Sequence, residues 1–256
     1  MYPLARRILP KPLRVFLWGD REKWGYTASE FDADWKAWLD IYEKFYLENQ
    51  RSAIGRIIND AGYKVMKKID ISSLEIMEIG PADIRHIDYW IGRPRVMYLV
   101  DNLPILLLRA HKLTAKNGIK TKLVTVTRES VLPLPSESID LVITFYSLEH
   151  IYPLDKYLQE VNRILKPGGR IVGAIPTEGS LVWGLGRFFT SRRWFLRNTS
   201  LNPDKIISWE HPNFGDFVID CLDEFFERES LVSWPFNKGP YDVNFILKFI
   251  YKKRTI

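Results

Sequence analysis

At 256 residues and 46% apolar, the chain can bury the core of one α/β domain with insertions, which excludes wholesale disorder. No apolar stretch approaches the roughly 18–20 residues of a spanning helix, and Arg6 and Arg7 lead into Pro10 and Pro12 rather than a signal-peptide core. A single cysteine, Cys221, excludes an internal disulfide and agrees with a cytoplasmic chain, while the net charge of +6 gathers in residues 1–26 and 181–200, each carrying +4. A phosphate-bearing substrate, an anionic membrane surface at the periphery of the cell membrane, or a plain solvated face would each account for that charge.

Residues 1–26 alternate proline, arginine and large apolar side chains, which predicts an extended arm over the main body. From Asp34 the pattern turns helical: Trp35, Trp38, Leu39, Tyr42, Phe45 and Tyr46 fall on one apolar stripe, either core or the lining of a substrate entrance. A second helix is predicted over 52–68, with Gly62 as its weak point. Strands then alternate with helices: strands at 74–79, 96–101, 121–126, 139–145 and 170–175, helices at 83–91, 103–117 and 154–165. Such alternation predicts a parallel sheet with right-handed crossovers. After Pro176 the regularity breaks into an arginine–aromatic segment, a helix follows Pro212, and Phe225–Trp234 and Val243–Tyr251 read as two closing strands. The organisation expected is an arm with capping helices over 1–68 and a main domain over 69–256 with an insert at 177–211.

The stretch Leu74-Glu75-Ile76-Met77-Glu78-Ile79-Gly80-Pro81-Ala82-Asp83 reads as a buried strand entering a tight turn, which should open a helix with its first N–H groups pointing outward. A second apolar run ends in Asp101, 21 residues after Gly80. A turn and a strand-end acid at that separation suit a nucleotide, backbone at one end and carboxylate on ribose hydroxyls at the other. The G-x-G-x-x-G of dinucleotide dehydrogenases is absent.

Glu78-Ile79-Gly80-Pro81 resembles the first motif of the class I S-adenosylmethionine-dependent methyltransferases, of the type 11 kind. Leu132-Pro133-Leu134-Pro135-Ser136-Glu137-Ser138-Ile139-Asp140-Leu141-Val142 resembles that family's LPFPDNSFDLV segment, Ser147-Leu148-Glu149-His150-Ile151 its VLEHV, and Glu160 to Gly169 its E-x-x-RVLKPGG. The resemblance runs in register over roughly 70–177. It implies a Rossmann-like α/β fold: a seven-stranded, mostly parallel sheet of order 3-2-1-4-5-7-6, last strand antiparallel, with helices on both faces. Ala82 and Ile84 stand where the family's first motif has glycines, so either Ala82 keeps a negative φ or cofactor affinity suffers. Arg128-Glu129 replaces the family's Asp-Ala beside the adenine, and Glu129 is a candidate for the adenine amino group.

The reaction so implied is in-line displacement at a sulfonium methyl, with S-adenosyl-L-methionine as cofactor. Asp101, with Asn102 beside it, would hold the ribose; its alternative is a helix N-cap. Glu78 and the Gly80–Pro81–Ala82 backbone would lie at the amino-acid end of the cofactor, with Arg128 and Glu129 near the adenine. Phe145 and Tyr146 would wall the methyl group or simply pack. His150 is the candidate general base, or else shapes its turn, and His211 is the second candidate. Glu149 reads as structural. In the insert, Arg187, Arg192, Arg193 and Trp194 are the candidate substrate-binding residues, since arginines fork onto phosphates and aromatic faces stack on rings; a lid or an interfacial helix are the alternatives. No Cys/His spacing suits a metal. The function expected is methylation, chiefly at oxygen, of a small-molecule or glycan acceptor. The rivals are a methyltransferase fold that has lost catalysis and serves as a scaffold, and an RNA methyltransferase, disfavoured by the short basic stripe.

Overall fold

In the computed structural model, which describes residues 3–51, 53–126 and 131–255, the alternating apolar runs pair into one sheet. Its strands are β1 (Glu75–Ile79), β2 (Val96–Asp101), β3 (Thr121–Thr125), β4 (Ile139–Phe145), β5 (Leu165–Pro176), β6 (Phe226–Trp234) and β7 (Ile246–Lys253). Their order is β3-β2-β1-β4-β5-β7-β6, the one expected, with β7 antiparallel to both neighbours and the other pairings parallel.

Side chains alternate between two cores, as the strand period of two requires. Met77, Ile79, Val142, Ile171 and Ile175 face one core; Ile76, Leu141, Ile143, Val172 and Ala174 face the other. Before the sheet come α1 (Leu4–Ile8), α2 (Lys11–Trp18), α3 (Arg21–Trp24), α4 (Ala33–Arg51) and α5 (Ala53–Tyr63). Within it lie α6 (Pro104–Lys116) and α7 (Leu154–Ile164), and after β5 come α8 (Leu181–Arg187), α9 (Arg193–Asn198), α10 (Pro203–Glu210) and α11 (Gly215–Phe225). On α7, Leu154, Tyr157, Leu158, Val161 and Ile164 form the buried stripe that their spacing predicts, packed with α11 on the first core; α6 packs on the second. No helix among the described residues is long and apolar enough to cross a membrane.

Two local expectations are corrected. The arm is not extended but three short helices, because Pro10 and Pro12 sit at the N-cap and in the first turn of α2, where a missing N–H costs nothing. The helix predicted at 83–91 is a 3-10 turn over Arg85–Tyr89. The helix predicted over 52–68 does give way beside Gly62: the α-helix ends at Tyr63 and a 3-10 turn follows over Lys64–Lys68, while Tyr146 Oη passes where a Gly62 Cβ would stand.

The stripe on α4 is mainly core. Trp38 is buried, its ring 4.9 Å from that of Phe195 and beside Ile206 and Trp209, while Leu39 turns out to solvent. Tyr46 falls outside the described side chains. The arm is stitched to α8 by Trp18, whose indole donates to Ser180 O at 2.9 Å.

Candidate active site

The first part of the site lies where β1 and β2 end. Gly80 N–H donates to Val100 O at 2.9 Å, which seats the turn after β1 against the end of β2 that carries Asp101. Gly80 takes φ +64°, and a Cβ there would stand 2.3 Å from Ser147 Oγ. That hydroxyl donates to the carbonyls of Ile79 and Phe145, joining the ends of β1 and β4. Ala82 (φ 29°) and Ile84 (φ 45°) are also left-handed, so the alternative of a negative φ at Ala82 is set aside. Each costs on the order of 1–2 kcal/mol in a residue with a Cβ. The turn leads into a 3-10 turn in place of the expected helix.

Glu78 is buried, and its Oε1 lies 2.8 Å from His86 Nε2. Trp90 Nε1 donates to His86 Nδ1 at 2.9 Å; an indole N–H only donates, so His86 Nδ1 accepts and Nε2 carries the hydrogen that Glu78 receives. Glu78 Oε2 is buried with no partner among the described residues, and burial raises the carboxyl pKa. Asp101 is half-buried. One of its oxygens accepts from Leu103 N–H at 2.8 Å, and burial raises its pKa against the backbone N–H groups that lower it. Asn102 is exposed.

Phe145 and Tyr146 both make packing contacts at the end of β4. Phe145 lies 5.0 Å from the His86 and Tyr63 rings. Tyr146, itself left-handed, shares its hydroxyl between the carbonyls of Ile58 and Asn59, 3.2 Å from each, and so holds α5 on the sheet end. Arg128 and Glu129 lie outside the described residues.

The second part lies beyond β4 and β5. Asn213 donates from its amide nitrogen to Leu148 O and Ile151 O, and Asn213 N–H donates to Glu149 O, which fastens the turn after β4 to the end of α10. That stitch brings His150 and His211 together, ring centroids 4.4 Å apart. His150 Nδ1 lies 2.5 Å from Glu210 O; a carbonyl only accepts, so Nδ1 carries the hydrogen and Nε2 keeps the lone pair. The His150 side chain is about a third exposed (36%), and partial desolvation, then the neighbouring His211, lowers its pKa.

His211 Nδ1 lies 2.7 Å from Glu178 Oε2. Burial would lower the His211 pKa, but Glu178, then Glu149 and Glu210, raise it overall. Glu178 follows β5 and is 1% exposed; against its burial, His211 and then Arg21 and Arg187 hold its pKa down to about 2. Arg21, buried on α3, places a guanidinium nitrogen 3.6 Å from Glu178 Oε1 and donates to the carbonyls of Trp18 and His211. Glu149 is buried with one oxygen unpartnered among the described residues, and burial raises its pKa to about 8. Glu210 accepts from Trp38 Nε1 at 2.7 Å, with burial raising its pKa. Among the described residues no group of His, Cys, Asp and Glu is arranged to hold a metal ion.

The arginines of the insert are not gathered here. Arg187 is buried, bonded to Leu17 O, Pro203 O and Asp204, and Arg192 also pairs with Asp204. Arg187 is thus committed to closing the insert on itself and on the arm, which corrects the expectation that it forks onto a substrate phosphate, and Arg192 gives one guanidinium nitrogen to the same carboxylate. Trp194 packs its ring 4.9 Å from Phe45, and Arg193 is exposed. The sequence reading missed His86, Glu178 and Arg21. The acid directly after the fifth strand was a usable signal for Glu178; nothing local marks the other two.

Residues 77–173 match the methyltransferase domain family. Over 105 residues the chain is 29% identical to the tRNA N(3)-cytidine methyltransferase METTL2 of Gallus gallus, covering 40% of this chain and 26% of that protein. Over 63 residues it is 38% identical to the mitochondrial arginine-hydroxylase NDUFAF5 of Rattus norvegicus, covering 23% and 18% respectively. The chain thus spans about a quarter or less of these relatives. Among solved structures, the N-methyltransferase NodS of Bradyrhizobium japonicum, in complex with S-adenosyl-L-homocysteine, superposes with a TM-score of 0.57 at 14% identity, over 88% of this chain and 100% of that one.

Proposed function

We infer, for a chain that carries a methyltransferase domain on the class I fold, that it uses S-adenosylmethionine to methylate an oxygen of a small-molecule or glycan acceptor seated beside His211. The segment 1–68 and the insert 177–211 then serve as the cap over that acceptor. When bound, the cofactor supplies an electrophilic methyl group on a sulfonium. The residues at the β1–β2 end fit it. The unpartnered, buried Glu78 Oε2 suits an ammonium group, and the Asp101 oxygen outside the Leu103 bond suits ribose hydroxyls.

The single observation that carries the oxygen-directed reading is the buried Glu178–His211 pair. Glu178 fixes the Nδ1–H tautomer, which leaves Nε2 as the ring nitrogen able to take a hydroxyl proton. The imidazolium so formed sits against a carboxylate that Arg21 and Arg187 help keep ionised against its burial. His150, its Nδ1–H held by the Glu210 carbonyl and its basicity lowered beside His211, suits orienting the acceptor better than taking its proton. An RNA acceptor is the second reading, favoured by the tRNA methyltransferase relative.

Calorimetric titration with S-adenosylhomocysteine tests the cofactor reading. Micromolar binding is expected, and no heat at millimolar ligand would leave a scaffold. RNA retention that falls steeply with salt would favour the second reading.

A further inference from the structure

Two acid-free segments meet on one face of the cap. Residues 1–19 contain no Asp or Glu, and neither do residues 181–203. The first forms α1 and α2; the second forms a continuous helical run in which α8 passes through a π-helical turn, Phe188–Arg192, into α9. They are joined by Phe16, whose ring lies 5.0 Å from Phe188 and 5.4 Å from the Arg192 guanidinium.

The face carries large apolar side chains turned outward. Leu13 is 48% exposed, Ile8 69%, Phe189 65% and Leu196 63%. On α2 the division is clean: Leu17 and Trp18 are buried against the cap, while Leu13 and Phe16, three residues apart, share the outer side. Arg14, Arg193 and Arg197 are exposed among these side chains. Large exposed apolar side chains gathered on neighbouring elements mark an interaction surface. The acids that reach these helices from neighbouring elements are paired, Glu22 with Lys11, Asp204 with Arg187 and Arg192, and Asp242 with the N–H groups of Ala5 and Leu181, which leaves Arg14, Arg193 and Arg197 among apolar side chains, a surface that complements anionic headgroups over acyl chains.

We propose that α1, α2 and the helical run 181–198 form a docking face for an anionic bilayer. Leu13, Phe16 and Phe189 enter the boundary between headgroups and acyl chains, and Arg14, Arg193 and Arg197 take lipid phosphates. Ser180, which caps α8, stands two residues after Glu178, so a docked face would set the candidate acceptor site beside the membrane surface. Binding is read without turnover, so its failure is distinct from failure of the methyl-transfer reading.

The test is co-flotation with vesicles of phosphatidylcholine alone and of phosphatidylcholine mixed with phosphatidylglycerol. The full chain is compared with Leu13→Ser/Phe189→Ser and with Arg14→Gln/Arg193→Gln/Arg197→Gln, all shown folded by circular dichroism. The proposal expects flotation with the anionic vesicles only. It expects a loss of about fivefold for each arginine replaced, and of roughly tenfold or more for the apolar pair even at low salt. No flotation on anionic vesicles at low salt would overturn it. So would full flotation of the apolar variant, which would mean surface charge alone. A concentration-dependent dimer abolished by the apolar pair, without vesicle binding, would assign the face to a second copy instead.

Discussion

Between Ile79 and Leu103 the candidate site is made of backbone: three left-handed residues in the turn, one N–H on the end of β2, and carboxylates with an oxygen to spare. Beyond β4 and β5 it is made of titratable side chains withdrawn from water, with Arg21, Glu178, Glu210 and His211 from the arm and insert packed around Glu149. The first arrangement stores cost in conformation, which binding a ligand can offset locally. The second stores it in desolvation, which only mutual pairing offsets. Substitutions at the β4–β5 edge should therefore reach stability and pH response, while those at the β1–β2 end should reach ligand affinity.

The largest break in that contrast should come from Glu178→Ala. It strands Arg21 and His211 without their carboxylate, at a cost of about 3–5 kcal/mol of folding stability, or roughly 10 °C in thermal unfolding. The pH dependence has a definite sign. Glu178, held down to about 2, contributes stability that is present above its unfolded pKa and lost as pH falls toward 2. His211, raised, contributes stability present below about 6.5 and lost as pH rises through its folded value. The gap between the parent and Glu178→Gln should thus be widest between about pH 4.5 and 6.5. A gap that does not vary with pH would show the two groups to be uncoupled.

At the other end, Asp101→Ala should leave the melting temperature nearly unchanged. It should cost about 1.5–3 kcal/mol of S-adenosylhomocysteine affinity, read by calorimetry. An unaltered dissociation constant would remove Asp101 from the ligand.

The same contrast explains what could be read from the chain. Strand order and the β1–β2 end follow from local apolar runs and from residues a few tens of positions apart, such as Gly80 and Asp101, and the LEH and LKPGG segments placed β4, α7 and β5. The β4–β5 edge joins Arg21 to Glu178 and His150 to Glu210, pairings that span 157 and 60 positions and leave no periodic trace. Arginine misled for a related reason. Arg187 and Arg192 look like ligand forks in a basic segment until Asp204, downstream, is seen to take both.

Glu149→Gln sharpens the charge side from the opposite direction. A buried carboxyl with a folded pKa of about 8 binds its proton more tightly folded than unfolded, so its ionisation opposes folding increasingly as pH rises from about 4.5 toward 8. Glutamine cannot ionise and should raise stability by on the order of 2 kcal/mol at neutral pH, a gain that disappears near pH 4 in paired melting curves. A destabilised variant at neutral pH would instead mean that the ionised oxygen is needed.

Ala82→Gly is the smallest and the most telling of these changes, because it touches only conformation. At φ 29° an alanine carries a steric penalty that glycine does not. Glycine also loses more chain entropy on folding, which returns part of the gain. The net should be a stabilisation of up to about 1 kcal/mol, with S-adenosylhomocysteine bound at least as tightly. Tighter binding at unchanged stability would place the strain in the bound turn, as a limit on cofactor affinity. Higher stability at unchanged affinity would place it in the free fold. A loss of both would show that the Ala82 methyl makes a contact that outweighs its backbone, and the β1–β2 end would then depend on packing after all.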